Sequence, residues 1–102
     1  MTKRAVEKIY NNIRHVVFKD PTSSGIVRLP LEAGKSPYAG EGQTWSWDGD
    51  QRDPTIRPSV KTSVDHFFLK RGVIEFCRDA KHENAGKSVP LGTLEGFFDE
   101  EI

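Results

Sequence analysis

Thiols are nearly missing from this chain of 102 residues, where Cys77 is the sole cysteine. No disulfide can form within the chain, and a zinc site built on four cysteines is excluded. A reducing compartment is the expected setting. Long apolar runs are missing too: nothing approaches the ~18 residues of a membrane span, and the start MTKRAVEKIYNN lacks the apolar centre of a secretory signal. The cytoplasm is therefore the expected location, with no membrane partner. Charge of one sign is not in excess, because Lys plus Arg equals Asp plus Glu at 15 each. No net field draws the chain toward nucleic acid, which is not an expected partner. Phosphate-binding glycine loops are absent, since Gly40-Glu41-Gly42 is too short and no helix is expected after it.

What is present is a supply of β-formers. Val, Ile, Phe, Trp, Tyr and Thr are plentiful, and hydrophobic residues at 35% allow a modest core. The length fits a single domain over residues 1–102 with one core. At the start, Ala5, Val6, Ile9, Tyr10 and Ile13 recur at helical spacing with Thr2 as a possible cap, which allows a short helix. The β-branched crowding through Ile13, Val16 and Val17 instead predicts strand from about Asn12. Asp20-Pro21-Thr22-Ser23-Ser24-Gly25 is turn chemistry leading into a second strand over 26–31, with Pro30 marking its edge or end. Residues 32–43, rich in Gly and Pro, predict a long loop that is functional or mobile.

Thr44-Trp45-Ser46-Trp47 alternates strictly, placing both tryptophans on one strand face, and Asp48-Gly49-Asp50 ends it. Beyond Pro54 and Pro58, residues 59–69 alternate loosely, with Val60, Val64, Phe67 and Phe68 as the apolar members. Arg71-Gly72 then predicts a hairpin into Val73-Ile74-Glu75-Phe76-Cys77, and residues 88–94 allow a last short strand. The basic start (Lys3, Arg4, Lys8, Arg14) and the acidic end (Asp99, Glu100, Glu101) read as solvated termini. The fold expected is mainly β, a small antiparallel barrel or sandwich with at most one or two short helices.

Candidate chemistry gathers around the 71–72 reversal, which carries His66 and the stretch 79–82 to one end of a hairpin. His66, Asp79 and His82 should then be neighbours. Ser59, presented by a segment that Pro54 and Pro58 stiffen, becomes a nucleophile if an imidazole oriented by a carboxylate removes its proton; otherwise it is a turn serine bonded to backbone. His66, His82, Asp65 and Asp79 are also a conceivable metal set, although their spacing matches no familiar metal signature. Cys77 on its strand reads as a small buried filler, and Trp45 and Trp47 read as core more than as a ligand platform.

The order Trp45-x-Trp47-x-Gly49, Pro54-Thr55-x-x-Pro58-Ser59, His66-x-Phe68, Gly72-x-Ile74-x-Phe76 and Asp79-x-x-His82 resembles a family of small bacterial and phage proteins. Its members were long of unknown function and are sometimes mislabelled ammonia monooxygenase. They include the deubiquitinase-like peptidase of bacterial ubiquitin-like (Bub) operons linked to antiphage defence. The resemblance spans residues 45–91, and residues before Trp45 have no part in it. It implies a serine-type peptidase without a cofactor or metal, acting on a ubiquitin-like protein or its conjugates. Carried over, Ser59 is the nucleophile, His66 or His82 the base and Asp79 the orienter, while Trp47, Thr55 and Pro58 are assigned to substrate binding. Relatives that carry cysteines beside the first histidine and the aspartate differ from this chain, which has Asp65 and Ala80 there. The alternatives are a non-enzymatic phage or prophage binding protein, with the tryptophan face docking a host protein, and a metal-dependent hydrolase.

Overall fold

Eight strands make up the computed structural model, which describes residues 3–22, 25–40, 42–62 and 65–94. Among these residues there is no helix, and the start of the chain corrects the helical alternative. Strands β1 (Ala5–Tyr10) and β2 (Ile13–Lys19) pair antiparallel, from Ala5↔Phe18 to Tyr10↔Ile13. Asn11 and Asn12 make the reversal with φ of 52° and 61°, a left-handed pair that matches the twist of a two-residue hairpin and that Asn tolerates well. Helical spacing arose there because both faces of this sheet are covered: Ala5 and Val6 are buried on opposite sides, whereas Ile9 is 67% exposed. The proposed Thr2 cap, Ser23 and Ser24 of the next turn, Val64 and the acidic end lie outside the described residues.

Strand β3 (Ile26–Pro30) pairs with β2 through Val16↔Leu29 and completes the sheet β1-β2-β3, in which Pro30 ends an edge strand. The second sheet has the order β4-β5-β6-β7-β8: β4 (Ser46–Trp47), β5 (Ile56–Lys61), β6 (His66–Lys70), β7 (Val73–Phe76) and β8 (Ser88–Pro90). Arg71 and Gly72, with φ of 48° and 78°, form the expected two-residue turn between β6 and β7. A side chain at position 72 would meet the Arg4 guanidinium at 2.9 Å and the Asp53 backbone at 3.3 Å, so glycine serves both conformation and space here.

The two sheets face each other across one apolar cluster in a sandwich-like arrangement rather than a closed barrel. Ala5, Val16, Phe18 and Leu29 come from the first sheet; Ile56, Val60, Phe67, Leu69, Ile74 and Phe76 come from the second. Phe18 meets Phe67 edge to face, ring centroids 6.3 Å apart, at the centre of the contact. Each buried Val, Leu, Ile or Phe there contributes about 1.5–3 kcal/mol through removal of apolar surface from water. Val6, Val17 and Leu94 form a smaller cluster, with the Leu94 N–H donating to the Lys3 carbonyl at 2.9 Å. Both tryptophans pack, partly buried, against the main cluster.

The long loop after β3 is tied down by the third histidine. His15 is fully buried; its Nδ1–H donates to the Ile13 carbonyl at 2.8 Å, leaving Nε2 to accept from the Ser36 hydroxyl at 2.7 Å. Tyr10 and Tyr38 pack edge-on to that ring and to each other, and the Arg28 guanidinium lies 4.9 Å from the Tyr38 ring centre. His15 is thus an anchor for the loop. No helix among the described residues is long and apolar enough to cross a membrane.

Candidate active site

Strand alternation sorts the second sheet into a greasy inner face and a chemically equipped outer one. Along β6, Phe67 and Leu69 are buried while His66, Phe68 and Lys70 point outward. On β5, Lys61 pairs directly with His66. Ser59, two residues earlier, therefore lies diagonally across from His66 on the same face, within reach of a side chain. The register shift between Ile56 and Val60 kinks β5 just where Ser59 sits, the kind of irregularity that re-aims a side chain. Ser59 is a strand residue, not the turn serine that its prolines allowed.

On the other side, Phe67↔Phe76 continues to Cys77, whose N–H donates to the His66 carbonyl at 2.7 Å. The Ala80 N–H donates to the Cys77 carbonyl at 3.1 Å, closing a turn that returns Asp79 toward the sheet. Both carboxylate oxygens of Asp79 reach His66 Nδ1, at 2.9 and 3.0 Å. The opposite ring nitrogen, Nε2, is 3.3 Å from Ser59 Oγ. A carboxylate accepts from Nδ1–H, which fixes the tautomer and leaves the Nε2 lone pair facing the hydroxyl. That line of oxygen, imidazole and carboxylate is what deprotonating a serine during attack requires, and its outer bond has the length common before substrate is bound.

The electrostatics follow from these contacts. The hydrogen bond from His66 is the main cause that holds the Asp79 carboxyl below its ordinary range, so it is ionised at neutral pH. Burial, then the Asp79 and Glu75 charges, push the Cys77 thiol up, so it rests protonated. Phe68 stacks at 30° to His66 with centroids 6.4 Å apart, and Lys70 Nζ lies 5.4 Å from the Phe68 ring centre.

His82 takes a different place from the one that the hairpin geometry alone allowed. Its Nε2–H donates to Asp65 at 2.5 Å, its Nδ1 accepts the Asn84 N–H at 3.1 Å, and its ring packs edge-on to Phe76. The four residues weighed as a metal set therefore divide into two pairs, His66 with Asp79 and His82 with Asp65. The close donor group among the described residues is His66, Asp79 and Cys77.

Two clefts flank Ser59. One, of about 710 Å³, is lined by Ile56, Arg57, Pro58, Ser59, Phe68 and Lys70, with Ser46 at its end. The other, of about 420 Å³, runs between Pro58, Ser59 and Lys61 and the loop residues 42–45. Pro58 thus borders both. Trp47 and Thr55 line a separate hollow with Ser46, Asp48 and Arg57. Each also has an internal partner: Trp47 Nε1–H donates to the Asp50 carbonyl, and Thr55 Oγ1 accepts the Arg71 N–H at 2.9 Å. Sequence reasoning missed Phe68 as a cleft wall, although its place two residues after His66 on a strand was the available signal. It also missed Trp45, whose Nε1–H donates to the Ser59 carbonyl at 3.3 Å and so steadies the strand that carries the hydroxyl.

With that geometry in view, comparison with protein families is decisive. A model of the bacterial ubiquitination-like system serine protease (BubE) family matches residues 4–77, well over half of the chain. The chain belongs to this family. The BubE match takes in the N-terminal sheet, to which the motif resemblance over 45–91 had assigned no part, and it includes Ser59 and His66 while ending two residues before Asp79. Comparisons with curated proteins and with solved structures gave no match.

Proposed function

We propose that this BubE chain is a serine peptidase that processes the tail of a bacterial ubiquitin-like protein or releases that protein from conjugates, as part of an antiphage system. Ser59 is the nucleophile, His66 the general base and Asp79 the group that orients His66. The observation that carries the reading is the line from Ser59 Oγ through His66 Nε2 and Nδ1 to the Asp79 carboxylate. In the reaction, Ser59 Oγ attacks the scissile carbonyl while its proton passes to Nε2, and Asp79 stabilises the imidazolium that forms. The same proton then goes to the departing amine, and water, activated by His66, hydrolyses the acyl-enzyme.

A strand flank without a paired neighbour, on which the Trp45 indole takes only the Ser59 carbonyl, supports an extended substrate. β4 pairs with β5 only through Ser46↔Arg57 and Trp47↔Ile56, so among the described residues no strand covers 58–61 on that side. A peptide tail laid there would be registered by main-chain hydrogen bonds, with the two clefts receiving side chains on either side of Ser59. Arg57, Lys70 and Lys61 make those clefts basic.

The test is Ser59→Ala. The purified variant is expected to lose both processing of the ubiquitin-like protein and labelling by a serine-directed fluorophosphonate, with its melting temperature unchanged. Processing at the wild-type rate would remove Ser59 from the mechanism.

A further inference from the structure

Cys77 has no part in the proposed proton relay, yet it lies against it. Its sulfur, a ring nitrogen of His66 and a carboxylate oxygen of Asp79 are all within 4.8 Å of one another. The sheet produces this grouping: Cys77 continues β7 opposite His66, and the tight turn closed by the Ala80 N–H brings Asp79 back to the same side. Thiolate, imidazole and carboxylate are the three donor types that zinc takes, with bonds of about 2.0–2.3 Å that put neighbouring donors roughly 3–4 Å apart. Closing the three donors on an ion asks for shifts of about 1 Å. Asp79 is more than half exposed, with 55% of its side chain accessible, and so can move that far.

We propose that Cys77, His66 and Asp79 form a zinc site, with a fourth position open to water, through which zinc reversibly inhibits the hydrolase. The inhibitory half rests on the serine reading above; the binding half does not. On coordination the Cys77 thiol proton leaves to solvent and the sulfur binds as thiolate. Either ring nitrogen gives the same outcome. An ion on Nε2 occupies the lone pair that faces Ser59. An ion on Nδ1 displaces the single ring proton from Nδ1 to Nε2, which then has no lone pair to accept from the hydroxyl. The soft sulfur donor selects zinc over magnesium or calcium, which prefer all-oxygen sites.

Cobalt serves as a spectroscopic stand-in for zinc. Titration of the full chain with Co²⁺ is expected to give a thiolate-to-cobalt charge-transfer band that zinc abolishes, and Cys77→Ser is expected to show no such band. Chelator competition should find zinc affinity at least ~10-fold weaker in Cys77→Ser, since even outer-shell changes cost that much. In the peptidase assay, micromolar zinc should inhibit wild type reversibly, magnesium should not, and Cys77→Ser should keep its basal rate while losing zinc sensitivity. Equal zinc affinity in the two proteins, or a cobalt spectrum without the band, overturns the site. Tight binding with unaltered hydrolysis overturns the inhibition. A band in a protein with no hydrolytic activity upholds the site and counts against the serine reading instead.

Discussion

Asp79 is more exposed than the imidazole it holds, with 55% of its side chain accessible against 25% for His66. Water therefore screens the pair, and its worth lies in tautomer and aim more than in stability. Asp79→Asn keeps the shape but offers an amide N–H that can stabilise the wrong tautomer. It is expected to lower kcat by about 10²- to 10⁴-fold with KM little changed, read from steady-state kinetics on the ubiquitin-like substrate. Acid should act on the same bond. Because the Asp79 carboxyl is held below its unfolded value, its contribution to folding is complete above about pH 4 and is lost as pH falls through the lowered pKa. Melting temperatures of wild type and Asp79→Asn should thus converge at acid pH. Ser59 and Asp79 could be named from the sequence as candidate nucleophile and orienter, but the choice between His66 and His82 as the base could not be made, since both flank the same strand. Only the diagonal placement of Ser59 against His66 separates them, and that depends on a register shift in β5 that no local residue pattern announces.

The stretch that carries Asp79 is a turn, not a strand, and something must hold it against β6. The bond from His82 to Asp65 does this, because Asp65 immediately precedes His66 while His82 follows Asp79 by three residues. Cutting it leaves Asp65, with only 16% of its side chain accessible, without that donor and the turn untethered. His82→Ala is expected to reduce kcat about 10-fold while KM and the fluorophosphonate-reactive serine persist, and His82→Gln, which can still donate to Asp65, should recover most of the loss. Turns with plain chemistry were readable: Arg71-Gly72 lies where its residues say, and the bond from the Asp20 N–H to the Gly25 carbonyl brings the ends of the reversal at 20–25 together. Asn11-Asn12 was not recognised, because a sheet covered on both faces erases the period of two and mimics a helical stripe. The strand at 44–47 was legible in its alternation, but not that its pairing stops at Ser46 and Trp47.

At the scale of the whole chain, the site stands on the core shared by both sheets. Phe18 belongs to the first sheet and touches Phe67, the neighbour of His66 in β6. Phe18→Ala is expected to cost about 3–5 kcal/mol, a large part of the ~5–15 kcal/mol typical of a domain, measured by urea unfolding. Activity of the fraction that remains folded should survive, because Phe18 meets no reacting atom. A mainly β barrel or sandwich was legible from strand count and punctuation, but neither the choice of sandwich nor the inclusion of the N-terminal sheet in the family match was, as that sheet holds none of the spaced tryptophan, proline and histidine motifs.

The brevity of β4 has a further consequence for what this surface can accept. Among the described residues no strand pairs beside 58–61 on the β4 side, where the Trp45 indole already takes the Ser59 carbonyl. Under the proposed docking mode, that ledge would read a guest by its spine, which only a guest able to unroll several residues can offer. A folded body trailing a loose leash qualifies. A compact loop, or a minimal chromogenic ester with no backbone to grip, does not, so turnover of such small reporters is a poor measure of the turnover on a tethered tail.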